Sequence, residues 1–327
     1  MRAGILSFAH MHAHSYAAQL RRHPDAELAA VWDADETRGR EAAATYGAEY
    51  VADLSAFLSL PIEAVIVCSE TAKHKEHVVA VARAKKHVLC EKPIATTTAD
   101  AEEMIRACRE EGVTLRIAFP VRHATAARIA RERIQAGELG RVLAVRSSNR
   151  GKRPGGWFED PALSGGGAAA DHTVHLTDAI RWMLGDEVRR VFAELETSFR
   201  DQGAVEDCGV ALLEMRSGTI VSIDPSWSMP DAYPIWGDLT MEIVGERGTI
   251  TLDLFRQSSR WYAAGSANTT LLPWMDDLNE GLIREFVEGV RDGRPPEIAG
   301  EDGLRTLEVV EACYLSRKAG HFIELTK

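Results

Sequence analysis

Asp171 and His175 are the residues of this sequence whose types and spacing best suit proton transfer. They lie four positions apart in a stretch with helical periodicity, so both side chains project from one face of the predicted helix. An imidazole can accept the proton of a reacting hydroxyl, and a neighbouring carboxylate can orient it and stabilise its charged form. The pair predicts general-base catalysis, and the competing interpretation is an ordinary surface Asp–His pair.

Other polar and aromatic side chains accompany this pair on the same helix or on predicted loops. His172 is rotated by about 100° around the helix from Asp171, so it either lines a pocket or faces the interior. Asp178, one turn further along, is typical of a hydrogen-bond acceptor in helix packing. We expect the loop residues to face a substrate cleft, where the tryptophan either packs or offers a sugar ring an apolar platform; these residues are Arg122, His123 and Trp157.

The turn after the first predicted strand could approach a dinucleotide. Such folds carry Gly-x-Gly-x-x-Gly at this turn, and here the three positions hold Ser7, Ala9 and His12. The glycine motif is therefore degraded, although its first two positions stay small. Asp33 ends the second predicted strand, where a carboxylate accepts hydrogen bonds from the ribose hydroxyls of NAD or, alternatively, only begins a turn. The turn predicts an NAD cofactor, with NADP less favoured, and further contacts from Phe8, His10 and Met11.

His10 and His12 also permit a different interpretation, a metal-dependent hydrolase that presents two imidazoles after its first strand. Such an enzyme needs further histidine ligands and an aspartate at later strand ends. The remaining histidines do not occur in that order. Histidines on a solvated loop are the simpler interpretation, and we expect no metal.

The order of apolar runs separates the chain into two parts. Over the first 120 residues, apolar runs at 3–8, 28–32, 64–68, 87–90 and 115–119 alternate with helical patterns, which predicts a doubly wound parallel sheet. Beyond them, residues 210–215 with 219–223 and residues 239–244 with 249–254 form hairpin patterns. We expect an α/β Rossmann domain over 1–120 and an α+β substrate-binding and oligomerisation domain with a mainly antiparallel sheet over 121–327.

Composition excludes several classes of protein. The 327 residues are 45% hydrophobic and 27% charged, as in ordinary globular proteins. A net charge of −11 argues against nucleic-acid binding, which needs clustered cations, and the absence of an apolar run of about 18 residues argues against a membrane span. The five cysteines have no metal-ligand spacing and predict buried thiols in a reducing compartment, so we expect a cytoplasmic protein.

Several motifs resemble those of the Gfo/Idh/MocA oxidoreductase family. Cys90-Glu91-Lys92-Pro93 is similar to the family's Glu-Lys-Pro segment, and the stretch from Ser69 to His74 is similar to its Thr-Pro-Asn-x-x-His turn. Residues 165–178 are similar to its glycine-rich segment followed by Asp-x-x-x-His-x-x-Asp. Residues 300–303 and 311–312 are similar to family positions near the end of the chain. The resemblance covers nearly the whole sequence.

The resemblance implies an NAD(P)-dependent dehydrogenase or reductase that acts on the CH–OH group of a sugar, polyol or related compound. It places Lys92 beside the nicotinamide and the substrate, where it would polarise the oxygen or relay its proton, and makes His175 the base with Asp171 as its partner. It adds four residues to the cofactor-binding set: Ser69, His74, Glu91 and Arg122. The family's Asn-x-Arg appears here as Pro120-Val121-Arg122, without the asparagine.

The family resemblance also implies a homodimer or homotetramer. The open face of the C-terminal sheet would pack against another copy, with Val210, Leu212, Val221 and Ile223 partly intermolecular. The alternatives to a dehydrogenase are a glycosidase or lyase that uses NAD transiently, a cofactor-binding protein without turnover, and the metal hydrolase.

Overall fold

The structure, a computed structural model, describes residues 1–199, 203–255, 258–261, 270–273 and 276–326. The chain forms two compact units. The first contains Met1–Pro120, Ala162–Gly165 and Leu278–Leu307, and the second contains Val121–Pro161, Gly166–Asp277 and Glu308–Lys327.

The first unit is built on a parallel sheet of six strands in the order β3-β2-β1-β4-β5-β6. The strands are β1 (Arg2–Leu6), β2 (Glu27–Trp32), β3 (Glu49–Tyr50), β4 (Ala64–Val67), β5 (His87–Cys90) and β6 (Leu115–Ile117). The helices that connect them are α1 (His12–Arg22), α2 (Glu36–Tyr46), α3 (Leu54–Ser59), α4 (His74–Arg83) and α5 (Thr98–Glu110). This is the predicted Rossmann arrangement. Its strand order reverses at β1 and β4, and ligands of such sheets bind beyond the carboxyl ends of the strands at this point.

The second unit is built on a seven-stranded sheet in the order β12-β11-β7-β10-β9-β8-β15. Its β7–β10 pair is parallel and the other pairs are antiparallel, so the prediction of a mainly antiparallel sheet is confirmed. The elements from residue 121 onward are α6 (Thr125–Gln135), β7 (Val142–Ser148), α7 (Pro161–Ser164), α8 (Ala168–Leu184), β8 (Val188–Glu196), β9 (Cys208–Met215), β10 (Ile220–Asp224), β11 (Thr240–Gly245), β12 (Thr249–Asp253), β13 (Ser258–Trp261), β14 (Thr270–Pro273), α9 (Leu278–Arg291), α10 (Gly300–Ala319) and β15 (Ile323–Glu324). Strands β13 and β14 pair with each other.

Helix α9 belongs to the first unit. The domain boundary predicted from the sequence, at residue 120, would place it in the second. Its apolar face supplies Leu282, Ile283, Phe286 and Val287 to the core that also contains residues of β1 and α1. Burial of this amphipathic stripe accounts for the return of the chain to the first unit.

The hydrophobic residues of the β9–β10 hairpin divide between the two faces of the sheet. Val221 and Ile223 are fully buried within the chain, so the prediction that they take part in an intermolecular contact is wrong. Residues with the opposite side-chain direction point outward, because side chains alternate along a strand. These are Val210, Leu212 and Ile220, which are 42%, 36% and 48% exposed.

All five cysteines are free thiols, and Cys208 alone among them is not fully buried. Burial raises the pKa of Cys68 and of Cys90 well above its ordinary value, and it raises the pKa of Cys108 and of Cys313 to about 12.

Among the described residues, no helix combines the length and the apolar character needed to cross a membrane.

Candidate active site

The turn between β1 and α1 begins with Ser7 in a backbone conformation that favours glycine. Its φ is +72°, which costs a residue with a Cβ about 1–2 kcal/mol. Two contacts hold the residue in place: the Ser7 hydroxyl donates to Oδ2 of Asp33 over 3.3 Å and accepts from the amide of Ala9 over 3.1 Å. Serine can therefore replace the first glycine of the motif, because its side chain compensates for part of the backbone strain.

The other predicted residues of this turn lie beside Ser7. The amide of Phe8 donates to Asp33 over 2.7 Å, and its ring stacks on Tyr46. His10 is buried, and its amide donates to the carbonyl oxygen of Cys68. Met11 is 44% exposed at the start of α1.

Asp33 is covered by donors from its own chain. Its carboxylate accepts from the amides of Phe8 and Asp35, and from Nε and Nη2 of Arg38 over 2.9 and 2.6 Å. Burial alone would raise the pKa of Asp33, but Arg38 and the two amides outweigh it and lower the pKa. The Asp33 side chain is fully buried, whereas that of Arg38 is 34% exposed, so the accessible group at the end of β2 is the guanidinium.

The buried carboxylate of Glu91 lies close to two histidines of the turn between β1 and α1. Its Oε1 lies 3.1 Å from Nδ1 of His12 and accepts a hydrogen bond from the Tyr16 hydroxyl, while Oε2 lies 3.9 Å from Nε2 of His10. Burial alone would raise the pKa of Glu91, but the neighbouring His10 and His12 outweigh it and hold the pKa well below its usual value.

This cluster is also the place to test the metal-site interpretation. Three atoms that could bind a metal, one from each of His10, His12 and Glu91, lie within 4.8 Å of one another. His14 is not part of this group and contacts Tyr46. The amide of His12 donates to Nδ1 of His10 over 3.2 Å. The neutral ring of His10 therefore carries its proton on Nε2, the nitrogen nearer to Glu91, and a protonated nitrogen cannot bind a metal. The geometry favours a hydrogen-bonded network at this place.

Lys92 and the β4–α4 turn lie in the same unit. Lys92 is buried, and its amide donates to Oε2 of Glu91 over 3.0 Å. His74 is fully buried: its Nδ1 lies 3.0 Å from the carbonyl oxygen of Pro93 and its Nε2 lies 3.1 Å from that of Ser69, so the ring ties the two segments together. The Ser69 hydroxyl contacts Nδ1 of His77, whose pKa burial lowers to about 4.

In the second unit, α8 begins at a tightly packed glycine segment. Glu206 accepts from the amides of Gly167 and Ala169 over 2.9 and 3.0 Å, and from the Tyr314 hydroxyl over 2.8 Å. A Cβ at Gly167 would lie 2.0 Å from the Glu206 carbonyl oxygen, and one at Gly166 would lie 1.9 Å from the Tyr314 hydroxyl. The glycines are therefore needed for close packing, and Glu206 satisfies amides that the first turn of a helix leaves unpaired.

Helix α8 carries the predicted base and its partner. Every residue from Gly166 to Ile180, all of which the structure describes, is buried except His175, which is half-buried. Asp171 is buried one turn before it, and Oδ2 of Asp171 accepts from Nε1 of Trp227 over 3.1 Å. The helix thus exposes its imidazole and anchors its carboxylate.

His172 is buried beside Asp171. Its Nε2 lies 3.2 Å from Oδ2 of Asp171 and its Nδ1 lies 2.8 Å from the carbonyl oxygen of Pro225. The sequence allowed this ring either to line a pocket or to face the interior, and the structure places it in the interior.

The remaining predicted residues of the second unit lie in packed surroundings. Arg122 is 4% exposed and forms a two-point ion pair with Asp178, with Nε donating to Oδ2 over 2.8 Å. Nδ1 of His123 lies 3.2 Å from Nη2 of Arg128. Trp157 is half-buried and stacks on Phe158 at 3.9 Å between ring centroids.

Sequence reasoning did not identify three residues that hold this machinery in place. The spacing of His12 and Tyr16 on one face of α1 was a usable signal for the second partner of Glu91. The other two, Trp227 and Glu206, carried no local signal, since their partners are distant in sequence. Arg38 was expected only as a possible partner of a cofactor 2′-phosphate, and its pairing with Asp33 was missed.

The residues of the first unit fit a dinucleotide at the β1–α1 turn. Ser7 supplies the left-handed backbone that the first glycine of the motif usually provides, and the turn leads into the start of α1, where a helix attracts phosphate. Asp33 stands at the expected strand end with Arg38 as an added cation.

Comparison with known proteins agrees with this arrangement. Residues 2–119 match the family model described as oxidoreductase family, NAD-binding Rossmann fold, and residues 127–251 match the GFO/IDH/MocA C-terminal domain. The chain is similar to myo-inositol 2-dehydrogenase of Thermotoga maritima, with 30% identity over 94% of this chain and 93% of the relative. It is also similar to 1,5-anhydro-D-fructose reductase of Ensifer adhaerens, with 30% identity over 81% of this chain and 80% of the relative.

Among solved structures, GenD2 from gentamicin A biosynthesis, in complex with NAD, superposes with a TM-score of 0.92 at 29% identity. The match covers all of this chain and 97% of GenD2. The two family models, which together match most of the chain, and the 30% identity to the Thermotoga maritima enzyme establish that the chain belongs to the Gfo/Idh/MocA family of oxidoreductases.

Proposed function

We propose that this protein oxidises a secondary alcohol of a sugar, polyol or related hydroxy compound, or reduces the corresponding ketone, with NAD(H). The observation that carries the proposal is the α8 pair, in which the half-buried His175 follows the anchored Asp171 by one turn. The names of the relatives, an inositol dehydrogenase and an anhydrofructose reductase, support a polyhydroxylated substrate.

Each residue has a role that follows from its chemistry. His175 accepts the hydroxyl proton during oxidation, and Asp171 stabilises the imidazolium that results. Lys92 polarises the substrate oxygen by its positive charge. A dinucleotide held at the turn between β1 and α1 would supply the hydride acceptor for this oxidation.

A screen of polyols, sugars and sugar acids with both cofactors tests this function. A dehydrogenase accumulates reduced nicotinamide, which is measured by its absorbance. Transient reduction without accumulation would support a glycosidase or lyase that uses NAD as an internal redox group. Cofactor binding without any change in absorbance across the screen would support a protein without turnover.

The protein is expected to bind NADH more tightly than NADPH, but by a modest margin of about tenfold. A 2′-phosphate near Asp33 would be repelled, and like charges a few ångströms apart in a partly solvated site cost on the order of 1–4 kcal/mol. Arg38 offsets much of this cost because it neutralises Asp33 and can pair with a phosphate. Arg38→Gln should therefore widen the preference for NADH at least several-fold in a fluorescence titration.

Arg40→Gln is the matched control for Arg38→Gln. Arg40 lies on the same helix, pairs with the exposed Glu36 and contacts the Tyr50 ring, so its loss should leave the ratio of the two affinities unchanged. Equal affinity of the wild-type protein for both cofactors, or tighter binding of NADPH, would contradict the proposed preference.

We also propose a homodimer or homotetramer in which a second copy covers the outward residues Val210, Leu212 and Ile220. Light scattering at micromolar concentration should then give a multiple of the 35.9 kDa chain mass. Leu212→Asp should shift the particle toward that mass, because a buried unpaired charge disfavours association. Leu315→Asp, at an exposed residue of α10, is the control. A wild-type particle of 35.9 kDa would rule the oligomer out.

A further inference from the structure

Three hydrogen-bonding groups meet at the carboxylate of Glu91, which follows β5. Its Oε1 accepts from the Tyr16 hydroxyl and lies 3.1 Å from Nδ1 of His12, while its Oε2 accepts from the amide of Lys92 over 3.0 Å. Burial opposes the charge of Glu91, but His10 and His12 outweigh it and hold the pKa well below its usual value, so the carboxylate is ionised. An ionised carboxylate can only accept, and the imidazole of His12 therefore donates through Nδ1.

The two side-chain donors come from the start of α1. His12 is the first residue of that helix and Tyr16 follows four positions later, so both side chains project from one face. His12 also occupies the third position of the motif at which dinucleotide folds usually carry glycine. In this chain, the turn that fits the dinucleotide thus carries a side chain that reaches the segment after β5.

The backbone on either side of Lys92 is held as well. The amide of Glu91 donates to the carbonyl oxygen of Val67 on β4 over 3.0 Å, and the ring of His74 lies 3.0 Å from the carbonyl oxygen of Pro93. The Lys92 amide itself is held by the Glu91 carboxylate, and the donors from α1 set the position of that carboxylate.

We propose that His12 and Tyr16 are positioning residues for Lys92 and act through the Glu91 carboxylate. Two donors to one oxygen fix the torsions of the Glu91 side chain, since hydrogen bonds to a charged acceptor are stronger than neutral ones. Oε2 is thereby held where it accepts from the Lys92 amide. A group that polarises a substrate oxygen must be placed to within a fraction of an ångström. This role rests on the proposed dehydrogenase function, whereas the hydrogen-bonded network itself does not.

Amide spectra of protein labelled with ¹⁵N at lysine test the network without any substrate. The Lys92 signal, assigned with Lys92→Arg, should move upfield and exchange faster with solvent in Glu91→Gln, because a neutral acceptor forms a weaker hydrogen bond than a carboxylate. Tyr16→Phe should move the same signal in the same direction, because the carboxylate then loses a donor that fixes it. Tyr50→Phe, at a half-buried tyrosine of β3, is the matched control. A Lys92 signal that Tyr16→Phe leaves unchanged would overturn the proposal.

Kinetics test the consequence for the reaction. Tyr16→Phe should lower kcat about tenfold, because a small misplacement of a catalytic group is costly, with little change in the affinity for NADH in a fluorescence titration. In a Glu91→Gln background the same substitution should have little further effect, because the hydroxyl acts through the carboxylate. Losses that multiply in the double variant would show that Tyr16 acts independently of Glu91.

His12 offers the sharpest comparison, because glycine is the usual residue at its position. His12→Gly restores the motif and removes the donor, so the affinity for NADH should be kept or improved while kcat falls about tenfold. His12→Asn, whose amide nitrogen can take the place of Nδ1, should recover part of the loss in kcat. An unchanged or higher kcat in His12→Gly would show that the histidine does not position Lys92. Absence of any redox substrate would instead refute the proposed function, and the Lys92 amide signal would then decide the network.

Discussion

His175→Ala is expected to lower turnover by about 10²- to 10⁴-fold, the usual contribution of a general base. His175 is the half-buried imidazole in the otherwise buried stretch from Gly166 to Ile180, and alanine leaves no group there to take the hydroxyl proton. The affinity for NADH should hardly change, because the residues that match the NAD-binding family model are 2–119. Steady-state kinetics with a substrate from the screen, together with a cofactor titration, measure both quantities.

Three further variants serve as comparisons for His175→Ala. Asp171→Asn should reduce turnover less than His175→Ala, since a partner only orients and stabilises the base. Lys92→Ala should impair both turnover and cofactor placement. His321→Ala, at an exposed histidine near the end of the chain, should have no effect. If His175→Ala retains near-normal rates, the base is another group, and Lys92 becomes the first candidate.

Asp178→Ala is expected to destabilise the second unit by about 3–5 kcal/mol, the usual cost of breaking a buried ion pair by removing one partner. The two side chains of the Arg122–Asp178 pair are 5% and 0% exposed, so the variant leaves the guanidinium buried without its carboxylate. Urea unfolding followed by tryptophan fluorescence measures the change, because six of the seven tryptophans follow residue 120.

Glu138→Ala is the control for Asp178→Ala. It breaks the exposed pair of Arg133 and Glu138, which should contribute less than about 1 kcal/mol. The double variant Arg122→Met with Asp178→Leu should recover much of the lost stability, since apolar residues can replace a buried pair at little cost. A loss of cofactor affinity in that double variant, with stability recovered, would support the role in cofactor binding that the family resemblance assigns to Arg122.

The sequence predicts the elements whose signal is local. Continuous apolar runs predict β4 and β5, and the Thr97 hydroxyl does cap α5, where it accepts from the amide of Asp100. Helical periodicity and Gly185 correctly predict the end of α8. Strand β8 escapes prediction because its alternation is interrupted by Arg189 and Arg190, which remain outside the core.

The candidate site is less predictable, because its partners come from distant parts of the chain. The types and spacing of Asp171 and His175 predict a paired carboxylate and imidazole. Nothing near Asp171 in sequence indicates that Trp227 donates to it, or that Pro225 accepts from His172, since both lie more than 50 residues away. Asp33 was expected to meet ribose, yet its contacts go to Arg38, because a guanidinium one turn into α2 reaches back to the strand end.

The buried thiols give the folded chain a set of internal reporters. A thiol must be exposed and deprotonated to react with an alkylating reagent, and burial prevents both at Cys68, Cys90, Cys108 and Cys313. Modification at each position then occurs only after its surroundings open. Three of these cysteines lie in the first unit and Cys313 lies in the second. Time-resolved alkylation measured by mass spectrometry would therefore follow the opening of each unit separately, without the introduction of any further cysteine.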